Sequence, residues 1–492
     1  MKKALMVVGT SSFAGKTLIV AALCRIFRNA GLSVTPFKAQ NMSLNSAVTA
    51  DGREISRAQW LQALAAGVEA TADMNPILLK PMGKGVSQVV LFGRPWGDIC
   101  AGDYYRSFVA EKGRAAVREA LGRLADRFDI IVLEGAGSPA EINLRDRDIA
   151  NLWAADAADA DVILVADIER GGVFASIYGT LSLLEPKYRK RVKGVIINKF
   201  RGDERLLESG ISEIESLTGV PVLGVLPYIE GLRLPEEDSQ GLRAKEADGR
   251  ADVVVLRLPR ISNFTDFDPL ELDGRVSLRY ITRPEELGNP DAIIIPGTKS
   301  TVDDLKWMQE QGFEIIRSFQ GRIPIIGVCG GYQILGREIV EDDGPETHRA
   351  LGLLDVDTSF ESYNKKTVQA SGTVDVDSGI FQRLRGATIS GYEIHMGETQ
   401  LGSGARKVFA EVGAGLGAAD ADYMTFGTYL HGLFDSPDFR EAFISFIVKD
   451  PTNSKDCEGR GDVDMSEVWD HAISQAAETV KNRIDLSWFY EE

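Results

Sequence analysis

The sequence predicts an α/β protein of two parallel-sheet domains in tandem, and three observations carry the prediction. Short apolar, β-branched runs recur along the chain and alternate with helix-length segments. The first run, Lys3 to Val8, breaks into a glycine-bracketed turn ending in Lys16 and Thr17. A second set of runs restarts at Asp252, after the charged interval Glu230 to Arg250 loses its apolar period. Short apolar runs bounded by turn signals are how strands covered on both faces read in sequence. A hydrophobic content of 44% and a charged content of 26% over 492 residues can build more than one core.

Composition also excludes several classes. The formal net charge of -17 argues against a general nucleic-acid or anionic-membrane surface, so an anionic substrate must be met by local Lys and Arg. Cys24, Cys100, Cys329 and Cys457 are scattered, with no Cys-x-x-Cys pair and only four histidines, which predicts a reduced cytoplasmic chain without a zinc site. The opening MKKALMVV has too short an apolar run for a signal peptide, and no apolar stretch reaches membrane-spanning length.

In the first half, MVVGTSSFAGKT (Met6 to Thr17) reads as a phosphate-binding loop between a buried strand and the helix of Leu18 to Phe27. Such a turn aims backbone N–H groups and a helix N-terminus at phosphate, with Lys16 on the β/γ oxygens and Thr17 on Mg²⁺. Gly9, Thr10 and Gly15 complete the cradle, although five residues rather than four separate Gly9 from Gly15. After a second strand, Ser33 to Lys38, a polar segment with neither strand nor helix period supplies Lys38, Gln40, Asn41 and Asn45, donors suited to carboxylates and amides. A polar loop beyond a strand's carboxyl end is a candidate substrate wall, with Asn143, Arg145, Arg147 and Asp148 as candidates for the opposite one. Ser87 to Gly93 is a further strand, and Asp103 to Arg127 a helix with Val117, Leu121, Leu124 and Phe128 on one face. Two apolar strands then end in carboxylates, Glu134 and Asp167, the first and second choices for partnering Mg²⁺. Asn198-Lys199 stands where related nucleotide folds recognise the purine, and Arg201 replaces the aspartate of a guanine-selective motif, which favours ATP.

In the second half, DVVVLRL, DAIIIPG and PIIGVCGG are successive strands. Cys329, flanked by Gly327 and Gly330-Gly331 between strand and helix, has the layout of a nucleophile elbow, with Gly330 and Gly297 as oxyanion donors. Short alternating strands follow and suggest an antiparallel extension, after which Thr425 to Leu430 delivers His431. Cys329 and His431 in this order suit a Cys–His hydrolytic pair, the imidazole lowering the thiol pKa and passing its proton to departing ammonia. What orients His431 stays open; Glu393 and His395 are candidates for that role or for glutamine binding. Ser466 to Ile484 is an amphipathic helix with a Trp488-Phe489-Tyr490 tail, expected to dock on the second domain.

The spacing of the phosphate loop and the EGAG turn after Leu133 resemble the dethiobiotin-synthetase-like branch of nucleotide enzymes. The elbow cysteine and late histidine resemble class I glutamine amidotransferases, but Leu433 stands where those enzymes carry an acid two residues after the histidine. The cobyrinate and cobyrate synthase family lacks that acid too. PFKAQNMSLNSAV, LEGAGSPAEINLRDRDIAN, DIERGGVFAS and GVCGGYQILG are similar to that family over nearly the whole length. The resemblance implies residues 1–235 as an ATP-binding synthetase domain, 236–250 as linker, 251–445 as the amidotransferase domain and 446–492 as a helical extension. It implies ATP, Mg²⁺, glutamine and a corrinoid as ligands, without nucleic acid or membrane, and leaves self-association open. The activity it implies is amidation of the b, d, e and g carboxylates of adenosylcobyrinic acid a,c-diamide. Two other readings are weighed. A cobyrinate a,c-diamide synthase would share both domains, but QNMSLNS argues against it. A ParA or MinD-like switch would carry a lysine five residues before Lys16, where Ser11 stands.

Overall fold

The computed structural model describes residues 3–235, 250–341, 346–360, 365–410, 416–448 and 464–491. The expected linker, apart from Arg250, lies outside the described residues, as does Cys457. The chain forms two compact units. The first combines Met1–Ser43, Ile55–Leu234 and Ser466–Glu492, and the second Leu44–Glu54 and Pro235–Met465.

The first unit is built on six parallel strands in the order Val222–Pro227, Val192–Phe200, Asp161–Asp167, Lys3–Gly9, Ile130–Glu134, Val34–Phe37. The strands that follow Lys3–Gly9 first fill one side of it and then the other, so this strand lies at the switch point where open sheets bind ligands. Leu5, Met6, Val7 and Val8 are wholly buried, which is why this strand reads as unbroken apolar sequence. Its turn feeds the helix Lys16–Asn29 through Gly15, whose φ of 98° is open to glycine, and a Cβ there would sit 2.2 Å from Asn198 Nδ2.

The expected strand near Ser87 forms as Val86–Leu91, in a separate four-stranded sheet with Gln40–Met42, Ile77–Gly83 and Arg94–Cys100. The expected helix from Asp103 is π-helical over Tyr104–Gly113 and α-helical over Arg114–Arg127, burying Val117, Leu121 and Leu124.

The carboxy-terminal helix corrects an expectation. Met465–Arg483 does form with Trp469, Ala472, Ile473, Ala476, Ala477 and Val480 buried at helical spacing, but residues from Ser466 onward belong to the first unit. Arg25, buried on the first helix, donates to Asp470 at 2.7 Å and Ser474 at 2.8 Å. Phe27 packs against Phe489 with ring centroids 5.2 Å apart, and Trp60 meets Trp469 edge-on. An apolar stripe declares that a helix is covered; these partners, spread along the first unit, decide by what.

The second unit has a seven-stranded sheet in the order Val276–Ile281, Ala251–Leu256, Ala292–Ile295, Ile325–Val328, Thr425–Thr428, Gly417–Ala419, Arg406–Lys407. The first five are parallel and the last two antiparallel, giving the expected extension. Ile293, Ile294, Ile325, Ile326 and Phe426 are wholly buried in the core along this sheet. Leu44–Glu54, part of the polar segment expected to form one substrate wall, also belongs here.

Candidate active sites

In the first unit Lys16 is buried, and its ammonium donates to the backbone oxygens of Ser11 at 3.0 Å and Gly137 at 3.1 Å. Thr17 Oγ1 donates to Glu134 Oε1 at 3.0 Å, and Lys38 Nζ donates to the same oxygen at 2.8 Å. Gln62 donates to the other carboxylate oxygen. Glu134 thus gathers a hydroxyl, an ammonium and an amide beside the loop. Lys38, expected on substrate, is buried against this carboxylate. Asp167 is engaged apart from this cluster, paired with Lys199 at 2.9 Å and accepting from the Glu169 N–H. Asn198 Nδ2 donates to Ala14 O at 2.9 Å and braces the loop, while the Thr10 N–H is spent on Val165 O. Among the described residues no cluster of three His, Cys, Asp or Glu could hold a metal by itself. A cation beside this loop would have to take most of its ligands from phosphate and water, with Thr17 and Glu134 as the protein oxygens at hand.

A cavity of about 760 Å³ opens beside Thr10, Ser11 and Ser12. Gln40 lines it together with Met42, Tyr105, Arg145, Arg147 and Asp148, so one residue of the first expected wall meets three of the second; Lys38, Asn41, Asn45 and Asn143 are not among the lining residues. Gln40 is held by the Tyr104 hydroxyl at 2.6 Å. Burial pushes the Asp148 carboxyl above its ordinary range, against the pull of the Ala150, Asn151 and Leu152 N–H groups. Tyr105 is raised by burial and by Asp148. Asn151, which reading the sequence missed, joins cavity and loop: its side chain accepts from Ala136 N at 3.1 Å and donates to Ala136 O at 2.9 Å. Asn41 faces inward, donating to Ser56 and Gln59. Asn45 does not join Lys38, Gln40 and Asn41: it lies in the second unit, accepting from Thr265 at 3.0 Å.

In the second unit the elbow forms. Cys329 has φ 53° and ψ −109°, a strained conformation fixed by its N–H on Thr428 O at 2.7 Å. Gly331 is obligatory, because a Cβ there would sit 1.9 Å from Ile295 O. Sγ of Cys329 contacts Ile394 O at 3.5 Å, and the thiol interacts with His431. Gly330 and Gly297 close around the pair: a Cβ on Gly330 would meet Thr298 N at 3.1 Å, and one on Gly297 would be 3.3 Å from His431 Cε1.

Asp266 orients His431, a residue the sequence did not single out. Its Oδ2 lies 2.7 Å from His431 Nδ1, while Oδ1 accepts from the Gly432 N–H at 3.0 Å. It stands in the Phe264–Phe267 turn, 165 residues from the histidine, and no local pattern marks it. Burial opposes the charged imidazole, yet Asp266 and the Cys329 thiol outweigh it and raise the pKa of His431. Glu393 and His395 are not the orienting groups. They pair with each other at 3.0 Å, Glu393 also binds Lys366, and His395 stacks on Tyr429. Burial raises the Glu393 carboxyl, but His395 and Lys366 bring it below its ordinary value.

A phosphate loop beside a polar cavity and a Cys–His–Asp site at an elbow, in one chain, define a glutamine-dependent amide ligase. Residues 5–241 match the CobQ/CobB/MinD/ParA nucleotide binding domain, and residues 252–439 the CobB/CobQ-like glutamine amidotransferase domain. The chain is 54% identical to the probable cobyric acid synthase of Methanococcoides burtonii over 457 residues, covering 91% of this chain and 90% of the relative. It is 50% identical to that of Methanosarcina mazei, covering 100% and 99%, and 49% identical to the cobyric acid synthase of Pelotomaculum thermopropionicum, covering 91% and 88%. The chain belongs to the cobyric acid synthase family.

Proposed function

We propose that this chain amidates the b, d, e and g carboxylates of adenosylcobyrinic acid a,c-diamide, using ATP and glutamine. The observation that carries the reading is the cavity bordered at once by the phosphate-loop residues Thr10 to Ser12 and by Gln40, Arg145 and Arg147. An acceptor carboxylate there lies next to the loop that holds the triphosphate. A carboxylate is a poor electrophile, so one of its oxygens takes the γ-phosphoryl of ATP, giving an acyl phosphate and ADP. Lys16 exchanges its two carbonyl partners for phosphate oxygens and neutralises the charge that develops. Thr17 and Glu134 would hold Mg²⁺, which supplies further neutralisation when bound.

At the elbow, Cys329 attacks the side-chain amide of glutamine. His431, held at Nδ1 by Asp266, takes the thiol proton and gives it to the leaving ammonia. Gly330 and Gly297 flank the place where the oxyanion develops. The glutamyl thioester hydrolyses to glutamate, and ammonia displaces phosphate from the acyl phosphate to leave the amide.

The test is an assay with ATP, the corrinoid and either glutamine or ammonium chloride, reading successive replacement of OH by NH₂ by mass spectrometry. Cys329→Ala is expected to lose glutamine-dependent amidation and keep the ammonia route. Equal loss with both nitrogen sources would refute separate sites.

A further inference from the structure

The strand Thr388–His395 carries the motif GYEIH, whose Glu393 and His395 pair with each other on one of its faces. By strand alternation Tyr392 and Ile394 take the other face, where Val48 joins them in a small apolar cluster. Both members of the hydrolytic pair lie against this strand. Ile394 O is 3.5 Å from Cys329 Sγ, and Tyr392 exchanges two backbone hydrogen bonds with His431, at 3.2 and 2.9 Å. Gly391 permits the approach, because a Cβ there would sit 2.0 Å from His431 O. The Tyr392 ring then lies over the imidazole, with centroids 5.2 Å apart and planes 17° from parallel. Its hydroxyl donates to Ser46 O at 3.1 Å, which fixes the far end of the ring. His431 is 1% exposed and Tyr392 7%, so the two rings face each other out of water, and all these groups lie in the second unit.

His431 is a cation once it has taken the thiol proton, and it carries that charge until the proton passes to ammonia. Asp266 answers the charge in the ring plane, through Nδ1. A tyrosine ring answers it from above the plane, because the negative face of its π-system attracts a cation within about 6 Å of the centroid, most strongly out of water. We propose that Tyr392 is a positioning residue for the hydrolytic step: its face stabilises the imidazolium of His431 and keeps that ring in the plane that joins Asp266 to Cys329. A packing role would be met by any side chain of the same shape, whereas this one requires an electron-rich face. The inference rests on the Cys329 hydrolytic site proposed above.

The experiment compares wild type, Tyr392→Phe and a chain with trifluorophenylalanine in place of Tyr392. Phenylalanine keeps the π face and loses only the bond to Ser46. The fluorines keep the shape and withdraw charge from that face, so packing alone predicts no difference between the last two chains. Each full-length protein is labelled with ¹⁵N-histidine and titrated by NMR; the chain has four histidines, and His431→Gln assigns the signal of interest. The titratable groups facing the ring are Asp266 at Nδ1 and the Cys329 thiol, common to all three proteins, and Tyr392 itself. The acid dissociation constant of His431 should be about tenfold larger with the fluorinated ring than with phenylalanine, the size of a cation–π contact shielded from water. Glutamate release should fall about tenfold in kcat between the same two chains, with the KM for glutamine unchanged. Equal titration and equal kcat in the two would assign Tyr392 to packing and overturn the inference. Absence of any Cys329-dependent glutamate release in wild type, measured against Cys329→Ala, would instead sink the hydrolytic site itself, and the titration would still report whether Tyr392 supports the charge on the ring.

Discussion

Asp266 shows how much one buried carboxylate decides. It holds the ring of His431 through Nδ1 and raises its pKa, against the burial that would lower it. Asp266→Asn should lower glutamine-dependent turnover by about 10⁴-fold, the loss seen when the aspartate of a catalytic triad becomes asparagine. Ammonia-dependent amidation should stay at the wild-type level, and a parallel fall in both would assign Asp266 to folding instead. The same ion pair has a pH signature. A histidine whose folded pKa is raised contributes stability fully below its ordinary value of about 6.5 and loses it as pH rises through the folded value. Melting curves of wild type and His431→Gln should therefore converge as pH climbs toward about 10.

At the level of elements, the elbow depends on how closely helix Gly330–Leu335 approaches strand Ala292–Ile295. Gly331→Ala forces a carbon into Ile295 O and should destabilise the second unit by about 3 kcal/mol or more, read from its denaturant midpoint. In the other unit, Phe489→Ala removes a ring packed at a tilt against Phe27 and should cost about 3–4 kcal/mol. These two elements also mark what the sequence could and could not say. The elbow was legible because every constraint on it is local: strand, cysteine, paired glycines and helix follow one another. The amphipathic face of Met465–Arg483 was legible for the same reason, but its partner was not, since Arg25, Phe27 and Trp60 are hundreds of residues away and carry no mark of waiting for it. Asp266 failed to stand out for a related reason: a triad is defined by geometry, and one aspartate in a turn looks like any other. Glu393 and His395 drew notice because they sit close together in sequence, and they do pair, but with each other.

For the whole molecule, the phosphate loop and the elbow are each complete with residues of their own unit, so their losses should separate. Lys16→Ala should abolish amidation from both glutamine and ammonia, because the proposed acyl phosphate depends on that ammonium. Retained ammonia-dependent product would remove Lys16 from phosphoryl transfer. Glutamate release by Cys329 should survive the same substitution at its basal rate.

The return of Ser466–Glu492 to the first unit sets an order on biogenesis. Lys3 holds Phe489 O at 2.7 Å, so the opening strand and the distal tail are ligated to one another. A growing polypeptide cannot supply Phe27 and Trp60 with their partners Phe489 and Trp469 until more than two hundred further residues of the second unit have been translated. Nascent chains arrested before Ser466 should thus engage chaperones and be cut readily in the nucleotide half, and that sensitivity should vanish once the distal helix is supplied, even as a separate peptide.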